Sequence, residues 1–365
     1  MRERKLLLIG PFPPPIGGDT VLTEDLKRSS QWTKNGIDLI TVNTSHRGGV
    51  RLPDTRISPS DMIRAGRIII QILIRLPRTE AVLFWANRRF LCTAGTVIIH
   101  LCNLFGRPVL AKAFGGSLAK RIKRMRGRRR KLVVGALKKC RYILPETGRL
   151  ARELVDDIGI PPSQVRMMPN FLSERFFNDP DPGPVDGSFD GKCLFLGQIK
   201  REKGVFTIIR ALKSQAAYSC DFFGPIVERD REEFTGQMAE SSNMEYRGIA
   251  SPGEVPSILG KYDVLLLPTR HKGEGYPAVI LQAFAMGVPV IASDWICIPD
   301  LIGDNQRGIL IPVKKPEALL AALDRLSSDF EFREAVRDNA RDYARMYSEE
   351  KIIGDILISG LLGKR

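Results

Sequence analysis

The sequence predicts an α/β protein of two Rossmann-like domains, each built on a parallel sheet, and three observations carry that prediction. Short apolar runs of strand type alternate with amphipathic helical stretches along nearly the whole chain, the pattern of strands joined by helical crossovers. A stretch dense in Pro, Gly and Asp, NDPDPGPVDGSFDG, separates two such series. The 365 residues are many for one core and ample for two. The expected plan is an N-terminal domain over 1–170, a linker over 171–191, a C-terminal domain over 192–345 and a last helix over 346–365 that can pack back on the first domain. In such folds ligands collect at the carboxyl ends of the strands, here in a cleft faced by both domains.

Taken in order, KLLLIG (Lys5 to Gly10) reads as the first strand, followed by a proline–glycine loop and a helix from about Thr20 to Lys34. GIDLITV is the second strand. Asp61 to Leu76 reads as a helix, AVLFWA as a strand, Arg89 to Phe105 as a helix and PVLAKAF as a strand. Ser117 to Lys139 is helical with a break at Gly127, and RYILP and VRMMPN close this half. The second series runs KCLFLG, a helix Lys203 to Leu212, SCDFFG, a helix Arg229 to Ser241, MEYRG and a helix Gly253 to Lys261. DVLLLP, a turn, a helix and VPVIAS follow, then GILIPV and three helices, Pro316 to Ser327, Glu331 to Met346 and Glu349 to Leu362.

Composition, 43% hydrophobic and 27% charged, is that of an ordinary soluble protein. The six cysteines form no CxxC pair and sit mostly among apolar residues, which predicts reduced, buried thiols. With only three histidines besides, no metal centre is expected. The opening MRERKLLLIG has too short an apolar run for a signal peptide and reads as a strand. Phe90 to Phe105 is the most apolar span, but it holds His100 and Asn103 and falls short of the ~20 residues a bilayer requires, so a buried helix is expected. The net charge of +15 is concentrated: thirteen Lys/Arg and no acid lie between Lys112 and Arg141.

The stretch from Pro268 to Ser293, PTRHKGEGYPAVILQAFAMGVPVIAS, organises the second half. Gly273, Gly275 and Pro277 crowd a tight turn, a helix is expected from Pro277 to Met286, and Gly287 ends it in a left-handed conformation. A helix start leaves amide N–H groups unpaired and partly positive, which suits a phosphate. Glu274 stands on the lip of that turn and Gln282 a turn and a half into the helix. This stretch resembles the donor-binding signature of the retaining family 4 glycosyltransferases, EGxPxxxxEAxAxGxPVxA, which have the GT-B fold. Glu274, Gly275, Pro277, Ala283, Gly287, Pro289 and Val290 match, and Gln282 stands at the second glutamate. The resemblance implies that Glu274 touches the transferred sugar and acts as the catalytic carboxylate. It also implies that Gln282 meets the ribose hydroxyls and that Gly275, Tyr276, Pro277, Ala278 and Val279 hold the diphosphate. A glutamine offers one hydrogen bond where glutamate offers a charged two-oxygen acceptor.

Further stretches extend the resemblance. FLGQIKREKGVFTIIRAL resembles the family's GRLxxxKGxxxLixA segment, with Lys203 and Gly204 in place and Gln198 where an arginine binds the diphosphate; Lys200 or Arg201 could substitute as the cation. Gln198 and Gln282 together leave the formal charge unchanged, so a co-adapted site with a shifted donor and a weakened site both stay open. Gly17 and Gly18 occupy the family's glycine-rich loop after the first strand, which closes over the donor. Asn170 in RMMPNF matches the family's vPNGvd step. AKAFGGSL resembles the loop that faces the acceptor, with Phe114, Gly115 and Gly116 where many members carry a histidine. His271 is near enough to reach the donor site, or is a solvated loop residue; His100 reads as a core residue, and His46 lies in a polar loop.

Within 117–139, Leu118, Ile122, Met125, Leu132, Val133, Ala136 and Leu137 recur at helical spacing. Lys120, Arg121, Lys123, Arg124, Arg128, Arg129 and Arg130 lie on the other faces. A basic amphipathic helix suits an anionic membrane, each nearby cation contributing ~1 kcal/mol. The run holds no aromatic residue to stack a base, which argues against nucleic acid. The resemblance thus implies a hexosyltransferase moving sugar from a nucleoside-diphosphate sugar to a lipid-linked or polysaccharide acceptor in cell-envelope glycan synthesis. It would act on the cytoplasmic face of the membrane, with retention, without cofactor or metal. A catalytically silent GT-B subunit and a nucleotide-sugar epimerase are the other classes left open.

Overall fold

The computed structural model describes residues 4–45, 59–178 and 188–362, so His46 lies outside the described residues. The chain divides into two compact units, Met1–Phe171 with Glu349–Arg365, and Leu172–Ser348. The first unit begins with β1 (Arg4–Gly10), α1 (Gly18–Arg28), α2 (Ser30–Lys34), β2 (Ile37–Asn43) and α3 (Pro59–Arg75). It continues through β3 (Ala81–Asn87), α4 (Arg88–Leu91), α5 (Ala94–Leu104), β4 (Val109–Phe114), α6 (Leu118–Lys123), α7 (Gly127–Leu137), β5 (Tyr142–Leu144) and α8 (Gly148–Arg152).

Its five strands run parallel in the order β2-β1-β3-β4-β5. Successive residues of a strand point to opposite faces, and both faces are covered, so the strands read as unbroken apolar runs. Leu7, Ile9, Val82, Phe84 and Ala111 enter a core with residues of α3, α5, α6, α7 and α8. Leu6, Leu8, Leu83 and Trp85 enter the opposite core with Leu22, Leu26 and Trp32 of α1 and α2.

Several expected helices are divided. The helix from Thr20 splits at Ser29, whose hydroxyl accepts from Gln31 N and starts α2 afresh. Arg89 to Phe105 becomes α4 and α5 because the Asn87 side chain caps α4, accepting from Arg89 N and Phe90 N, and Cys92 and Thr93 interrupt the ladder. Ser117 to Lys139 is interrupted over Arg124–Arg126, and Gly127, at φ +57, opens α7. VRMMPN forms no strand; Val165 makes a single isolated bridge to Ile143.

The second unit comprises β6 (Lys192–Leu196), α9 (Val205–Leu212), β7 (Ser219–Phe223), α10 (Glu228–Ala239), β8 (Met244–Tyr246), α11 (Val255–Leu259) and β9 (Val264–Leu267). Then come α12 (Ala278–Ala285), β10 (Val290–Ser293), α13 (Ile298–Ile302), β11 (Ile309–Ile311), α14 (Pro316–Ser328) and α15 (Phe330–Arg345). Its six strands, all parallel, take the order β11-β10-β9-β6-β7-β8. Winding runs outward from β6 in one direction and then resumes at β9 on its other side. The carboxyl ends of β6 and β9 therefore flank the point where connections diverge, the place where open α/β sheets leave a crevice for ligand.

After α15 the chain returns to the first unit. A wide-turn π-helical segment, Glu350–Ile358, leads into α16 (Ser359–Leu362). It places Ile352, Ile353, Leu357 and Ile358 in the core beside Leu26 and Trp32. All six cysteines are buried thiols. Among the described residues, no helix is long and apolar enough to cross a membrane.

Candidate active site

The site is assembled at the divergence point of the second sheet. Beyond β6, a single 3₁₀ turn over Arg201–Lys203 carries Lys203, and Gly204 follows in the left-handed region at φ +86. A Cβ on Gly204 would stand 2.1 Å from Pro268 O, so only glycine lets this turn lie against the end of β9. Arg270 N donates to Glu202 O at 2.8 Å and ties the two loops together.

On the β9 side, the chain leaves Pro268 and turns back through Gly273 and Gly275. Pro277 stands before α12 as its cap, with φ −63 and ψ 106, and the helix proper begins at Ala278, one residue later than expected. Gly287 ends it at φ +64. This turn buries Glu274 and leaves Gly275, Ala278 and Val279 half-buried.

Lys203 Nζ donates to both Glu274 carboxylate oxygens, each at 2.8 Å. Thr269 Oγ1 donates to Glu274 Oε2 at 2.9 Å and accepts from His271 N at 3.2 Å. The Thr269 carbonyl in turn accepts from Ser293 Oγ at the end of β10. Burial alone would raise the Glu274 carboxyl, but the Lys203 ammonium, its hydrogen bonds and that of Thr269 outweigh burial and hold the group below the usual carboxylate range. Burial lowers Lys200, and the neighbouring Lys203 lowers it further. Burial, then Lys200, push His271 down to about 4, so its imidazole is neutral at pH 7. Its carbonyl accepts from Trp295 Nε1 at 2.9 Å, and its ring lies so close to Gly273 that a Cβ there would meet Nε2 at 2.8 Å. A charge-neutral, partly dry cluster results, with a lysine held in reserve beside it.

The structure thus brings Lys203 and Glu274 together. Gln198, just beyond the carboxyl end of β6, and Gln282, in α12, are both half-buried, and the hydrogen bonds that hold the Lys203–Glu274 pair come from Lys203 and Thr269 rather than from either glutamine. Of the two substitute cations, Arg201 is engaged elsewhere: its backbone N–H meets Asp230, its guanidinium pairs with Glu233 and its charge lies over the Phe206 ring. Lys200 is the one that reaches the cluster's field. The Tyr276 hydroxyl donates to Tyr347 at 2.6 Å, and that of Tyr347 to the half-buried Tyr343 at 2.7 Å, which engages the Tyr276 side chain with α15.

In the first unit, Gly17 precedes α1 and its amide donates to Thr20 Oγ1 at 3.0 Å, while a Cβ on Gly18 would meet nothing within 4 Å. Gly115 has φ +82 and its N–H lies 3.4 Å from Glu146 Oε2; Gly116 beside it is half-buried. Near them, Lys112 of β4 is fully buried, donating to Met168 O at 2.5 Å and Pro169 O at 3.4 Å, and fixes the segment before Asn170. Burial lowers it to about 8, opposed by Glu146. His100 is half-buried on α5, its Nδ1 3.4 Å from Lys139 Nζ, rather than enclosed in the core.

Thr269, Lys112 and Glu146 were not singled out by sequence reasoning. A cation inside the apolar run VLAKAF is the one signal that could have found Lys112; nothing about the dipeptide Pro268–Thr269 marks it.

The basic segment departs from expectation in one respect. Leu118, Ile122, Val133, Ala136 and Leu137 are enclosed in the sheet core, leaving Leu132 as the exposed apolar side chain of the run. Lys120, Lys123, Arg124, Arg128 and Arg129 are exposed, Arg121 and Arg130 half-buried, and Lys123 pairs with Asp157 at 2.8 Å. The cations face solvent, but the apolar stripe expected to accompany them is already covered. Lys112 is not among the surface charges at all.

Comparison with known proteins adds the family. Residues 189–343 match the family described as Glycosyl transferases group 1. The alpha-D-kanosaminyltransferase of Streptomyces kanamyceticus is 26% identical over 219 residues, 56% of this chain and 56% of that protein. An exopolysaccharide phosphotransferase of Streptomyces coelicolor is 32% identical over 215 residues, 57% of this chain and 22% of that protein. The chain thus spans about half or less of the length of these relatives. The crystal structure of Anabaena HepE in complex with UDP and glucose superposes with a TM-score of 0.73 at 11% identity, covering 100% of both chains, which is a likeness of fold. The chain therefore carries a glycosyl transferases group 1 domain in its second unit, on a GT-B fold.

Proposed function

We propose that this chain is a glycosyltransferase that moves a sugar from a nucleoside-diphosphate sugar to a lipid-linked or polysaccharide acceptor, with retention at the anomeric carbon. The observation that carries the reading is the buried Lys203–Glu274 pair at the divergence point of the sheet, inside the family-matched domain. Relatives named as a kanosaminyltransferase and for exopolysaccharide, and a fold neighbour crystallised with UDP and glucose, support the donor and acceptor classes.

In this reading the donor's diphosphate competes with Glu274 for the Lys203 ammonium. Binding then frees a carboxylate oxygen to accept from a sugar hydroxyl, and Lys203 and the start of α12 neutralise the leaving diphosphate. Lys200 supplies the second positive charge that Gln198 lacks. Gln282 makes one hydrogen bond to the ribose, and Gly17 and Gly18, with Gly115 and Gly116, serve the donor and acceptor from the first unit. No step calls on a metal ion or cofactor, and undiminished turnover in EDTA is the expected outcome. Exposed cations of α6 and α7 hold the protein peripherally at the anionic inner face of a membrane.

The test is thermal stabilisation by UDP, GDP and ADP, on the wild type and on Lys203→Ala and Glu274→Ala. One diphosphate is expected to raise the unfolding temperature of the wild type and to lose that effect in Lys203→Ala. Absence of stabilisation by all three at millimolar concentration would overturn the donor site. Stabilisation without transfer to any acceptor would make the chain a silent binding subunit, and conversion of the donor sugar with no acceptor present would make it an epimerase.

A further inference from the structure

The helix α3 is apolar on two opposite faces, and the fold uses only one of them. At about 100° per residue, Ile68, Ile72 and Leu76 share one side, and these are enclosed in the core against the sheet. Ile63, Ile70 and Ile74 fall within about 40° of one another on the other side, and with Met62 each is 58–68% exposed. Three large apolar side chains on one outer helix face, with Met62 exposed about 100° around the helix from Ile63, exceed the scattered exposure normal for a soluble surface.

Their surroundings say what covers them. The connections β2–α3–β3, β3–α5–β4 and β4–α6–α7–β5 all cross the same face of the sheet, because residues of α3, α5, α6 and α7 share one core with the same strand positions. The strand order places them side by side in that sequence. Their outer surface adds Leu104 and Leu132, both exposed, to the isoleucines of α3. It also adds the exposed cations of α6 and α7, and Arg67 of α3, with no acidic residue between Asp61 and Glu80 or between Glu80 and Glu146. The acids of this layer stand at its margins: Asp61 in the first turn of α3, and Glu153, Asp156 and Asp157 at the β5 edge, where Asp157 pairs with Lys123. A surface that is both apolar and predominantly cationic complements an acyl–headgroup boundary carrying negative charge.

We infer that the outer face of α3, through Ile63, Ile70 and Ile74, is the apolar anchor that enters the lipid of an anionic bilayer while α6 and α7 hold its headgroups. This rests on the reading of the basic segment as a lipid-surface contact and assigns the insertion to a helix outside that segment. It also answers why the apolar stripe of α6 and α7 can be committed to the core: the anchoring side chains stand on a neighbouring helix of the same layer.

The experiment is flotation of the full chain with vesicles of phosphatidylglycerol and phosphatidylethanolamine, and with phosphatidylcholine alone. It compares the wild type, Ile63→Ser/Ile70→Ser/Ile74→Ser, and Arg128→Gln/Arg129→Gln/Lys131→Gln. Binding to the anionic vesicles is expected, falling about tenfold or more in each triple variant. An Ile70→Trp variant should in addition be quenched by brominated acyl chains beyond the wild-type background, which a change in folding alone does not produce. Unchanged unfolding temperatures would show that the exposed serines leave the fold intact. Salt-sensitive binding equal in the wild type and the isoleucine variant, with no quenching of Ile70→Trp, would overturn the anchor while the basic contact survives. No binding by the wild type would overturn both. Self-association in sedimentation that the isoleucine variant abolishes, without vesicle binding, would assign the face to a second copy of the chain instead.

Discussion

Lys203 and Glu274 are each charged in a place where neither is stable alone. Removing one partner of a buried pair leaves an uncompensated charge, so Lys203→Ala is expected to destabilise the second unit by about 3 kcal/mol. The double variant Lys203→Met/Glu274→Gln removes both charges and should recover most of that loss, while neither variant is stabilised by a nucleoside diphosphate. Urea unfolding with and without nucleotide separates the two effects; equal stability of the single and double variants would show that the pair is not coupled.

The neighbouring His271 gives a pH dependence of definite sign. Its folded value is near 4 against 6.5 for the free side chain, so between these values the unfolded chain binds the extra proton. Stability contributed by the neutral ring is complete above about 6.5 and lost as pH falls toward 4. Glu274, held low, adds its own loss only as pH falls from about 4.3 through its folded value. Denaturant titrations from pH 7 to 4 should therefore show a falling midpoint, flattened in His271→Gln.

Among elements, the turn before α9 and the turn before α12 do the positioning, and glycine makes the first of them possible. Gly204→Ala would place a Cβ against the Pro268 carbonyl in a backbone region unfavourable to L-residues. Gly287→Ala has a comparable φ, but the atoms in its way belong to the Arg341 side chain. Gly204→Ala is expected to cost more stability than Gly287→Ala, by about 1 kcal/mol or more, and to abolish nucleotide stabilisation. Equal costs in the two variants would mean the β6 turn can relax without displacing Lys203. The turn at Glu274 was legible from its glycine and proline spacing, whereas Lys203 was expected to open the following helix, which begins instead at Val205 after a turn over Arg201–Lys203. The divided helices were not: the caps at Ser29 and Asn87 are residues a longer helix also tolerates, and the breaks depend on how each helix packs on the sheet.

For the whole molecule, the chain's last segment contributes to the unit its first residues build. Ile352, Ile353, Leu357 and Ile358 complete the core around Leu26 and Trp32, although the entire second unit intervenes in sequence. Deleting residues 349–365 should therefore expose that core and lower the stability of the first unit while leaving the second largely unaffected. Hydrogen exchange resolved by peptide would show it as faster exchange in β1, α1 and α2; protection unchanged there would mean the segment only covers the surface.

The sequence by itself determined the two alternating series, their parallel sheets and the residues Lys203, Gly204, Glu274 and Gly287 at the family's spacing. The series and sheets depend on the period of apolar residues and on turn chemistry, which act over a few positions of chain, and the residues were marked by their resemblance to the family's motifs. Only the tertiary structure decided that Lys203 and Glu274, 71 residues apart, would hold each other, that Thr269 would orient the carboxylate, and that Lys112 would be buried. It also decided that one apolar face of α3 would meet the sheet and the other would meet solvent. The reason is physical: side-chain partners across a sheet are set by which strands become neighbours and which face of each helix they cover, and neither is local in sequence.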